Sequence, residues 1–372
     1  MKTSARNNLN AGHRHRRPER KPEAIRAPLP EKTATARQRE GSGVERAGGT
    51  WLRGTGMSLP VRVVGNSWFE EHLETSDEWI RTRTGIRERR FAEYYEQTSD
   101  YATAAGKEAL ERSGLDAGAV GLVVVATSVP DVRVPATANF VVQRLGLKNA
   151  FAYDISAACS GYLFALLAAD AQLRSGMAEH ALVIGVDLYS SIMDMSDRNT
   201  CVLFGDGAGA TITGRSGGGS GIASSWLHSD GTQTGVLGCR GGGTADRIAA
   251  PALGNDSARI HMEGPPVFKL AVNGCCEAIR QVLRASKTAA RDVARIIPHQ
   301  ANLRIIRKIA RTFDYPMDRI EVNLDRYGNT AAASIPIALH EAVAGGRISS
   351  GDLVLLVAAG AGFNSGAVLL RA

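Results

Sequence analysis

Residues 154–162 read Asp-Ile-Ser-Ala-Ala-Cys-Ser-Gly-Tyr and join two segments with different hydrophobic patterns. Residues 151–155 have the apolar character of a short buried strand, whereas residues 160–174 have helical spacing without proline. Cys159 therefore lies where a strand ends and a helix begins. The free N–H groups and the positive dipole end of a helix N-terminus favour a thiolate, the nucleophilic form of cysteine. A small, buried, unreactive cysteine would look the same here, so the rest of the chain has to decide.

Strands and helices alternate on both sides of this junction. Before the junction a buried strand is predicted at 120–128, with helices at 99–113 and 136–145; after it come a strand at 180–187 and a strand pair at 202–213 that glycines interrupt. Residues 214–258 are rich in glycine and are predicted to be irregular. Beyond them come helix 265–285, strand 294–299, helices 302–313 and 331–344, and strands 352–360 and 366–371.

The repeated order of elements predicts an α/β protein with two similar halves, residues 51–216 and 217–372, that each supply part of one site. Because strands alternate with helices, the sheets should be largely parallel, with right-handed crossovers. Cys159, at a strand end in the first half, would have its counterpart in His299, which ends the strand at 294–299.

Residues 1–50 differ from the rest of the chain in composition. They hold 12 lysines and arginines, 5 acidic residues and few large apolar side chains, so we expect a disordered basic tail that joins no core. The net charge of +7 comes from this tail, because residues 51–372 hold 32 basic and 32 acidic residues. A charge-balanced body argues against nucleic acid as a partner. A nucleic-acid-binding arm, a transit peptide and a later translation start are the alternatives for the tail.

The cysteine pattern bears on the compartment. Cys275 and Cys276 are adjacent and no Cys-x-x-Cys pair occurs, so the five cysteines fit neither a disulfide framework nor a zinc site. This indicates a reducing cytoplasm. No apolar run reaches the roughly 18 residues that a membrane span needs, and the N-terminus lacks the apolar core of a secretory signal. We therefore expect a soluble cytoplasmic protein that has no membrane partner.

Two further polar residues stand at junctions that resemble that of Cys159. His299 ends an apolar strand, so its ring should project at the carboxyl edge of a sheet. Asn329 lies in a glycine turn that leads into a helix of small residues. Taken alone, the histidine could be structural and the asparagine could be a helix cap. A Cys-His-Asn set fits a hydrolase with histidine as the base, and it equally fits a condensing enzyme in which both residues donate hydrogen bonds to an enolate oxygen.

The stretches around these residues decide between the two chemistries. They are 75–90 (TSDEWIRTRTGIRERR), 157–161 (AACSG), 203–209 (LFGDGAG), 298–304 (PHQANLR) and 328–330 (GNT). In this order they closely resemble β-ketoacyl-acyl-carrier-protein synthase III, of the thiolase superfamily, over residues 51–372. The resemblance implies a thiolase-like fold, in which two βαβαβ halves pack as a layered αβαβα structure. It also implies a homodimeric 3-oxoacyl-[acyl-carrier-protein] synthase that initiates fatty acid biosynthesis, with acyl-CoA as a substrate and with neither a cofactor nor a metal.

The implied reaction is a decarboxylative Claisen condensation. Cys159 would take the acyl group from acyl-CoA, with the backbone N–H groups of Cys159 and Ala361 as the oxyanion hole. Malonyl-acyl carrier protein would follow, and His299 and Asn329 would stabilise the enolate that its decarboxylation leaves. The alternatives are a starter-unit synthase or acyltransferase of a polyketide or other secondary pathway and, more remotely, a thioesterase-like hydrolase.

The resemblance also implies which residues bind the substrates. Trp79, Arg83 and Arg198 match positions that hold the CoA nucleotide, and Phe268 and Asn302 match positions along the pantetheine channel. Four basic residues of one helix match the docking region for the acidic acyl carrier protein, although a solvated helix face would look the same. They are Arg304, Arg307, Lys308 and Arg311.

Three places depart from the family or resemble another motif. Val134 replaces a phenylalanine that the dimer partner often contributes to close the acyl pocket, so we expect room for longer or branched starters. Asn364 and Ser365 replace a Thr-Trp pair that is usual in the family. The change removes an aromatic ring near the site, so the family's local packing cannot be carried over to this chain. Residues 206–209 (DGAG) resemble a phosphate loop, but we expect them to be structural.

Overall fold

The computed structural model describes residues 50–215, 220–246 and 257–372. Residues 1–49 of the predicted tail and the predicted boundary between residues 216 and 217 lie outside this part of the chain. The strands are β1 (Thr50–Ser58), β2 (Val63–Gly65), β3 (Glu88–Arg90), β4 (Val120–Ala126), β5 (Phe151–Ile155), β6 (His180–Leu188), β7 (Asp206–Arg215), β8 (Gly221–Ser229), β9 (Leu237–Cys239), β10 (Ile260–Met262), β11 (Arg295–Pro298), β12 (Leu353–Gly360) and β13 (Asn364–Arg371). The helices are α1 (Asn66–His72), α2 (Asp77–Thr84), α3 (Thr98–Ser113), α4 (Thr137–Leu145), α5 (Gly161–Arg174), α6 (Gly264–Ser286), α7 (Leu303–Thr312), α8 (Leu324–Tyr327) and α9 (Ser334–Ala344).

Two mixed sheets form the framework. The first has the order β1-β7-β6-β4-β5, in which β4 is parallel to β5 and β6, and β7 is antiparallel to both of its neighbours. The second has the order β8-β13-β12-β11, in which β11 and β12 are parallel and the other pairs are antiparallel. The prediction of largely parallel sheets was therefore wrong. A three-residue turn joins β12 to β13, and so short a connection suits antiparallel neighbours alone.

The second sheet repeats the first. β8, β13, β12 and β11 take the places of β1, β7, β6 and β4, with the same pairing directions. Ile320, which forms a single parallel bridge with Ile296 of β11, takes the place of β5. β8 and β9 lie in the segment predicted to be irregular, so that prediction was wrong for Gly221–Ser229 and Leu237–Cys239. The small and serine-rich sequence of β8 has little strand character of its own, and pairing with β13 holds it extended.

The predicted strand pair at 202–213 was also wrong in part, because residues 200–203 form a turn and β7 alone follows. In β7, the predicted phosphate-loop stretch begins with Asp206, whose buried carboxylate accepts hydrogen bonds from the backbone N–H groups of Ala92 and Ser190. The role of this carboxylate is structural, as expected.

Helices and sheets alternate in five layers. α3 and α4 cover the outer face of the first sheet, and α6 and α7 cover the outer face of the second. α5 and α9 lie between the two sheets, and they bury residues on several sides because both faces of this middle layer meet apolar strands. This arrangement is the predicted αβαβα, thiolase-like fold.

Two short turns of equivalent position lie at the centre of the molecule. The cysteine turn (Ala158–Ser160) leads from β5 into α5, and the alanine turn (Ala331–Ala333) leads into α9, which takes the place of α5. Their first residues share a positive φ, 48° for Ala158 and 47° for Ala331. The counterpart of Cys159 is therefore Ala332. The predicted pairing of Cys159 with His299 was wrong, because His299 follows β11, which corresponds to β4 rather than to β5.

Each turn packs against a strand of the opposite half. A Cβ at Gly185 of β6 would lie 2.2 Å from the carbonyl oxygen of Ala332. A Cβ at Gly360, the last residue of β12, would lie 2.8 Å from the Cβ of Cys159. The two halves are therefore in close contact at these two glycines, and any side chain there would push them apart.

This packing predicts that Gly185→Ala lowers the free energy of unfolding by about 2–3 kcal/mol, because the added methyl group overlaps rigid backbone. Urea unfolding monitored by circular dichroism measures the change. Gly231→Ala is the matched control, since a Cβ there would meet open space. Equal stability of the two variants would contradict the close contact.

Candidate active site

A cavity of about 480 Å³ brings together side chains from both halves. Cys159, His299 and Asn329 line it and are 5%, 7% and 6% exposed, so they lie at its deep end. The exposed residues Arg83 and Arg304 also line it and mark its mouth. The three polar residues found in the sequence therefore share one channel that opens to the surface.

Cys159 is the second residue of the cysteine turn, and α5 begins two residues later. Burial raises the pKa of its thiol to about 12, and the negative charge of Asp187 acts in the same direction. The expected thiolate is therefore not the resting form of the side chain. The N-terminus of α5 favours ionisation, but the loss of hydration opposes it more strongly.

His299 follows β11, and a hydrogen bond fixes the orientation of its ring. Its Nδ1 forms a hydrogen bond of 2.6 Å with the hydroxyl of Ser334, the first residue of α9. This bond leaves Nε2 as the ring nitrogen available to the cavity. Burial lowers the pKa of His299 to about 4, so the imidazole is neutral at physiological pH.

Asn329 is fixed by its backbone and by its side chain. Its N–H donates to the carbonyl of Leu203 at 2.8 Å, and its own carbonyl accepts from the N–H of Gly205 at 3.0 Å. Its Oδ1 accepts from the N–H of Ala331 at 2.9 Å. Because the amide oxygen is used in this way, the Nδ2 group is left as a donor for a ligand.

The turn that contains Ala361 packs on Cys159 through Gly360. The Nδ2 of Asn364 donates to the carbonyl of Ala361 at 2.8 Å, and the Oδ1 of Asn364 accepts from the hydroxyl of Ser229 at 2.6 Å. Asn364 thus ties the turn to β8. Ser365 is buried against α6, where a Cβ at Gly274 would lie 3.0 Å from the Cβ of Ser365. The small residues that replace the Thr-Trp pair are thereby packed.

The predicted nucleotide residues lie together at the mouth of the cavity. The guanidinium groups of Arg83 and Arg198 lie 5.7 Å and 5.4 Å from the centre of the Trp79 ring. Arg198 also donates to the carbonyl of Glu74. Asn302 caps α7 and donates to the carbonyl of Arg83 at 3.1 Å, which joins this cluster to the second half.

The predicted docking helix, α7, has one basic and one apolar face. Its isoleucines are buried, whereas Arg307, Lys308 and Arg311 are exposed to solvent. Arg304 lies at the cavity mouth with its guanidinium 5.4 Å from the ring of Phe268, which lines the same cavity. A row of positive charge therefore extends from the mouth of the cavity along the surface.

Val134 lies apart from these residues. It is 85% exposed and does not line the cavity of its own chain. Sequence reasoning also missed Ser334, which orients His299, and Asp187, which lies near Cys159. Neither residue carries a local signal, because each acts through partners that are distant in sequence.

No cluster of His, Cys, Asp or Glu side chains suited to a metal ion occurs among the residues that the structure describes. Within the same ranges, none of the helices is both long and apolar enough to cross a bilayer.

Comparisons with known proteins agree with the fold and the cavity. The family models described as 3-oxoacyl-[acyl-carrier-protein] synthase III and as its C terminal match residues 153–231 and 283–372. The β-ketoacyl-[acyl-carrier-protein] synthases III of Roseiflexus sp. and Paramagnetospirillum magneticum are 44% and 46% identical over 86% of this chain and 97% of each relative. The crystal structure of the synthase III of Aquifex aeolicus is 43% identical, covers 87% of this chain and 100% of its own, and has a TM-score of 0.81.

A priming β-ketosynthase from a polyketide pathway has the same TM-score, 0.81, at 33% identity, and the match covers 89% of this chain and 98% of that structure. The fold and the site together define a condensing acyltransferase of thiolase-like fold. The chain belongs to the β-ketoacyl-[acyl-carrier-protein] synthase III family, and its function is that of a 3-oxoacyl-[acyl-carrier-protein] synthase. The resemblance read from the sequence is confirmed.

The buried imidazole predicts a pH dependence of stability. The pKa of His299 falls from the ordinary 6.5 to about 4 on folding, so the unfolded chain takes up a proton as the pH drops below 6.5 and the folded chain does not. The wild-type protein should lose about 2 kcal/mol more stability than His299→Gln between pH 7 and pH 5. Urea unfolding at both pH values tests this, with His72→Gln, at an exposed position, as the control. The same pH dependence in wild type and His299→Gln would contradict the prediction.

Proposed function

We propose that this cavity condenses an acyl-CoA starter with malonyl-acyl carrier protein through an acyl group carried on Cys159. The main support is that Cys159, His299 and Asn329 lie at the deep end of a channel whose mouth is lined by Trp79 and Arg83. Such a channel suits a long thioester that carries an anionic nucleotide at one end and its reactive carbon at the other. The reaction needs no cofactor besides the CoA that the substrate carries.

The first half-reaction transfers the acyl group. The sulfur of Cys159 attacks the thioester carbon, the bond to the CoA sulfur breaks, and the thiol proton leaves with CoA. The backbone N–H groups of Cys159 and Ala361 stabilise the oxyanion in between. Because burial keeps the free thiol protonated, loss of the proton accompanies attack and does not precede it. Asn364 positions the Ala361 turn by its bond to the Ala361 carbonyl.

The second half-reaction uses His299 and Asn329 as a pair of neutral donors. We assign the ring proton of His299 to Nε2, so that Nδ1 accepts from the hydroxyl of Ser334 and Nε2 donates to the malonyl thioester oxygen. The Nδ2 group of Asn329 donates to the same oxygen. When carbon dioxide leaves, the electron pair forms an enolate that these donors stabilise. The enolate carbon then attacks the acyl thioester, the bond to sulfur breaks, and Cys159 leaves as a thiolate that takes up a proton from water to restore the thiol.

Residues at the mouth of the cavity and on the adjoining surface bind the two substrates. Trp79 and Arg198 stack on the adenine, which enters between them, and Arg83 and Arg198 counter the CoA phosphates. Phe268 and Asn302 line the pantetheine path. The row formed by Arg304, Arg307, Lys308 and Arg311 docks the acidic carrier protein, whose charge it complements. The alternative of a polyketide starter-unit synthase draws support from the likeness to the priming β-ketosynthase.

The protein acts as a homodimer in the cytoplasm. β5 is an edge strand of the first sheet, and an uncovered edge of this kind can pair with a second copy. Val134 and the neighbouring Val132 are both exposed on the loop before α4. In a dimer these side chains would reach the partner, which would explain why Val134 does not line its own cavity.

The central test incubates the protein with acyl-CoAs, with and without malonyl-acyl carrier protein. We expect an acyl adduct on Cys159 by mass spectrometry and release of carbon dioxide when the malonyl donor is added. Cys159→Ser should abolish condensation, because a serine hydroxyl is a weaker acid and a weaker nucleophile than a thiol and has no base beside it to take its proton. Free acid without carbon dioxide would indicate a hydrolase. An adduct on Cys201 or Cys275 but not on Cys159 would overturn the assignment of the nucleophile.

The acyl pocket gives a second prediction. If Val134 closes the pocket of the partner subunit, an isopropyl group in place of a phenyl ring leaves room for several methylenes, each worth about 0.8 kcal/mol when buried. The ratio of kcat/KM for octanoyl-CoA to that for acetyl-CoA should therefore fall in Val134→Phe. Val61→Phe, at another exposed valine, is the control. An unchanged ratio in Val134→Phe would show that this position does not limit the pocket.

A further inference from the structure

One buried carboxylate near the site takes no part in the steps above. Asp187 lies near the end of β6 and is fully buried. One of its oxygens accepts from the N–H of Ser128 at 2.7 Å and from the hydroxyl of Thr127 at 3.2 Å, both directly after β4. The other accepts from the N–H of Ala332 at 3.0 Å. The carboxylate thus connects the first half to the alanine turn of the second.

Comparison of the alanine turn with the equivalent cysteine turn shows the role of the bond between Asp187 and Ala332. Ala332 holds the position in the alanine turn that Cys159 holds in the cysteine turn. In the proposed mechanism the N–H of Cys159 receives the substrate oxyanion. The equivalent N–H in the alanine turn donates to a side-chain oxygen of Asp187 instead, so the acceptor there belongs to the protein.

Two successive N–H groups of the alanine turn are used in different ways. The N–H of Ala331 donates to the amide oxygen of Asn329 at 2.9 Å and thereby orients the amide. The next N–H, that of Ala332, is held by Asp187. We propose that Asp187 is a positioning residue for the decarboxylation step, because it fixes the turn that presents the Asn329 amide to the malonyl thioester. This inference rests on the proposed function.

The isosteric change Asp187→Asn tests the bond. An amide has one acceptor oxygen in place of two, so it cannot accept from both Ser128 and Ala332, and one buried N–H loses its partner. We expect release of carbon dioxide from malonyl-acyl carrier protein by the acylated enzyme to fall by at least about tenfold. The rate at which acyl-CoA acylates Cys159 should not fall by more than about threefold, since that step does not use Asn329 and loss of the nearby charge favours ionisation of the thiol.

A second readout separates this role from a general loss of structure. The charge of Asp187 helps to hold the thiol of Cys159 protonated, so Asp187→Asn should shift the pH profile of Cys159 alkylation by iodoacetamide to lower pH. Two other titratable groups near this pair, Tyr189 and His299, are neutral at pH 6–8, because burial raises the pKa of the phenol and lowers that of the imidazole. Burial also raises the pKa of Asp187 itself to about 7, so the shift should be measured above pH 7.5, where its carboxylate is ionised.

Two further variants serve as comparisons. Asp154→Asn is the control, because Asp154 accepts from the N–H groups of Thr137 and Ala138 at the start of α4 and has no bond to the alanine turn. It should leave the ratio of decarboxylation to acylation unchanged. Thr127→Val removes one donor to Asp187 but keeps the charge. It should lower decarboxylation alone by about two- to fivefold, and it provides the test if Asp187→Asn does not fold.

The outcomes separate this proposal from the proposed function. A wild-type protein that neither acylates Cys159 nor releases carbon dioxide would overturn the proposed function. If the wild type does both, then equal losses in the two steps, or no loss in either, in Asp187→Asn would overturn the positioning role. The same holds for Thr127→Val. An unshifted alkylation profile in Asp187→Asn would overturn the effect of the charge on Cys159.

Discussion

The structure depends on the close approach of backbone at the centre, where the cysteine turn and the alanine turn meet. A Cβ at Gly161 would lie 3.5 Å from the Cβ of Ala332. Gly185 of β6 packs against the alanine turn, and Gly360 of β12 packs against the cysteine turn. Small residues are required here because helices α5 and α9 begin at this point and must both reach the same cavity. Cys159 comes from one half and His299 and Asn329 come from the other, so this contact sets the spacing between them.

The deep end of the cavity favours the neutral form of each ionisable side chain that lines it. Burial keeps Cys159 as a thiol and His299 as a neutral imidazole. A neutral imidazole is a suitable donor to an enolate, because a protonated ring at this buried position would need its own counter-ion. For the cysteine the same burial means that, in the proposed mechanism, its reactivity depends on the arrival of a thioester whose oxygen the backbone N–H groups can stabilise.

The alternation of strands and helices predicted an α/β protein of two halves, the resemblance of the motifs supplied the thiolase-like fold, and local signals marked the three polar residues of the cavity. Cys159, His299 and Asn329 each stand at a junction between elements, and the motifs around them are specific. Long-range effects could not be read in this way. β8 is a strand because β13 pairs with it, and the bond between Asp187 and Ala332 spans 145 residues. The repeat was recognised from element order, but which strand ends correspond depends on sheet order, which the sequence does not display.

The contact between Arg198 and Trp79 has a consequence for turnover. In the free protein the guanidinium covers the indole face that the proposed mechanism gives to adenine. If adenine stacks between the two side chains, as proposed, their contact has to open first, and its free energy, about 0.5–1 kcal/mol at an exposed position, is subtracted from the affinity for CoA. The same cost applies to CoA that has lost its acyl group. In the proposed mechanism, the two side chains re-form their contact as the nucleotide leaves, which favours departure of CoA and leaves the channel open to the carrier protein.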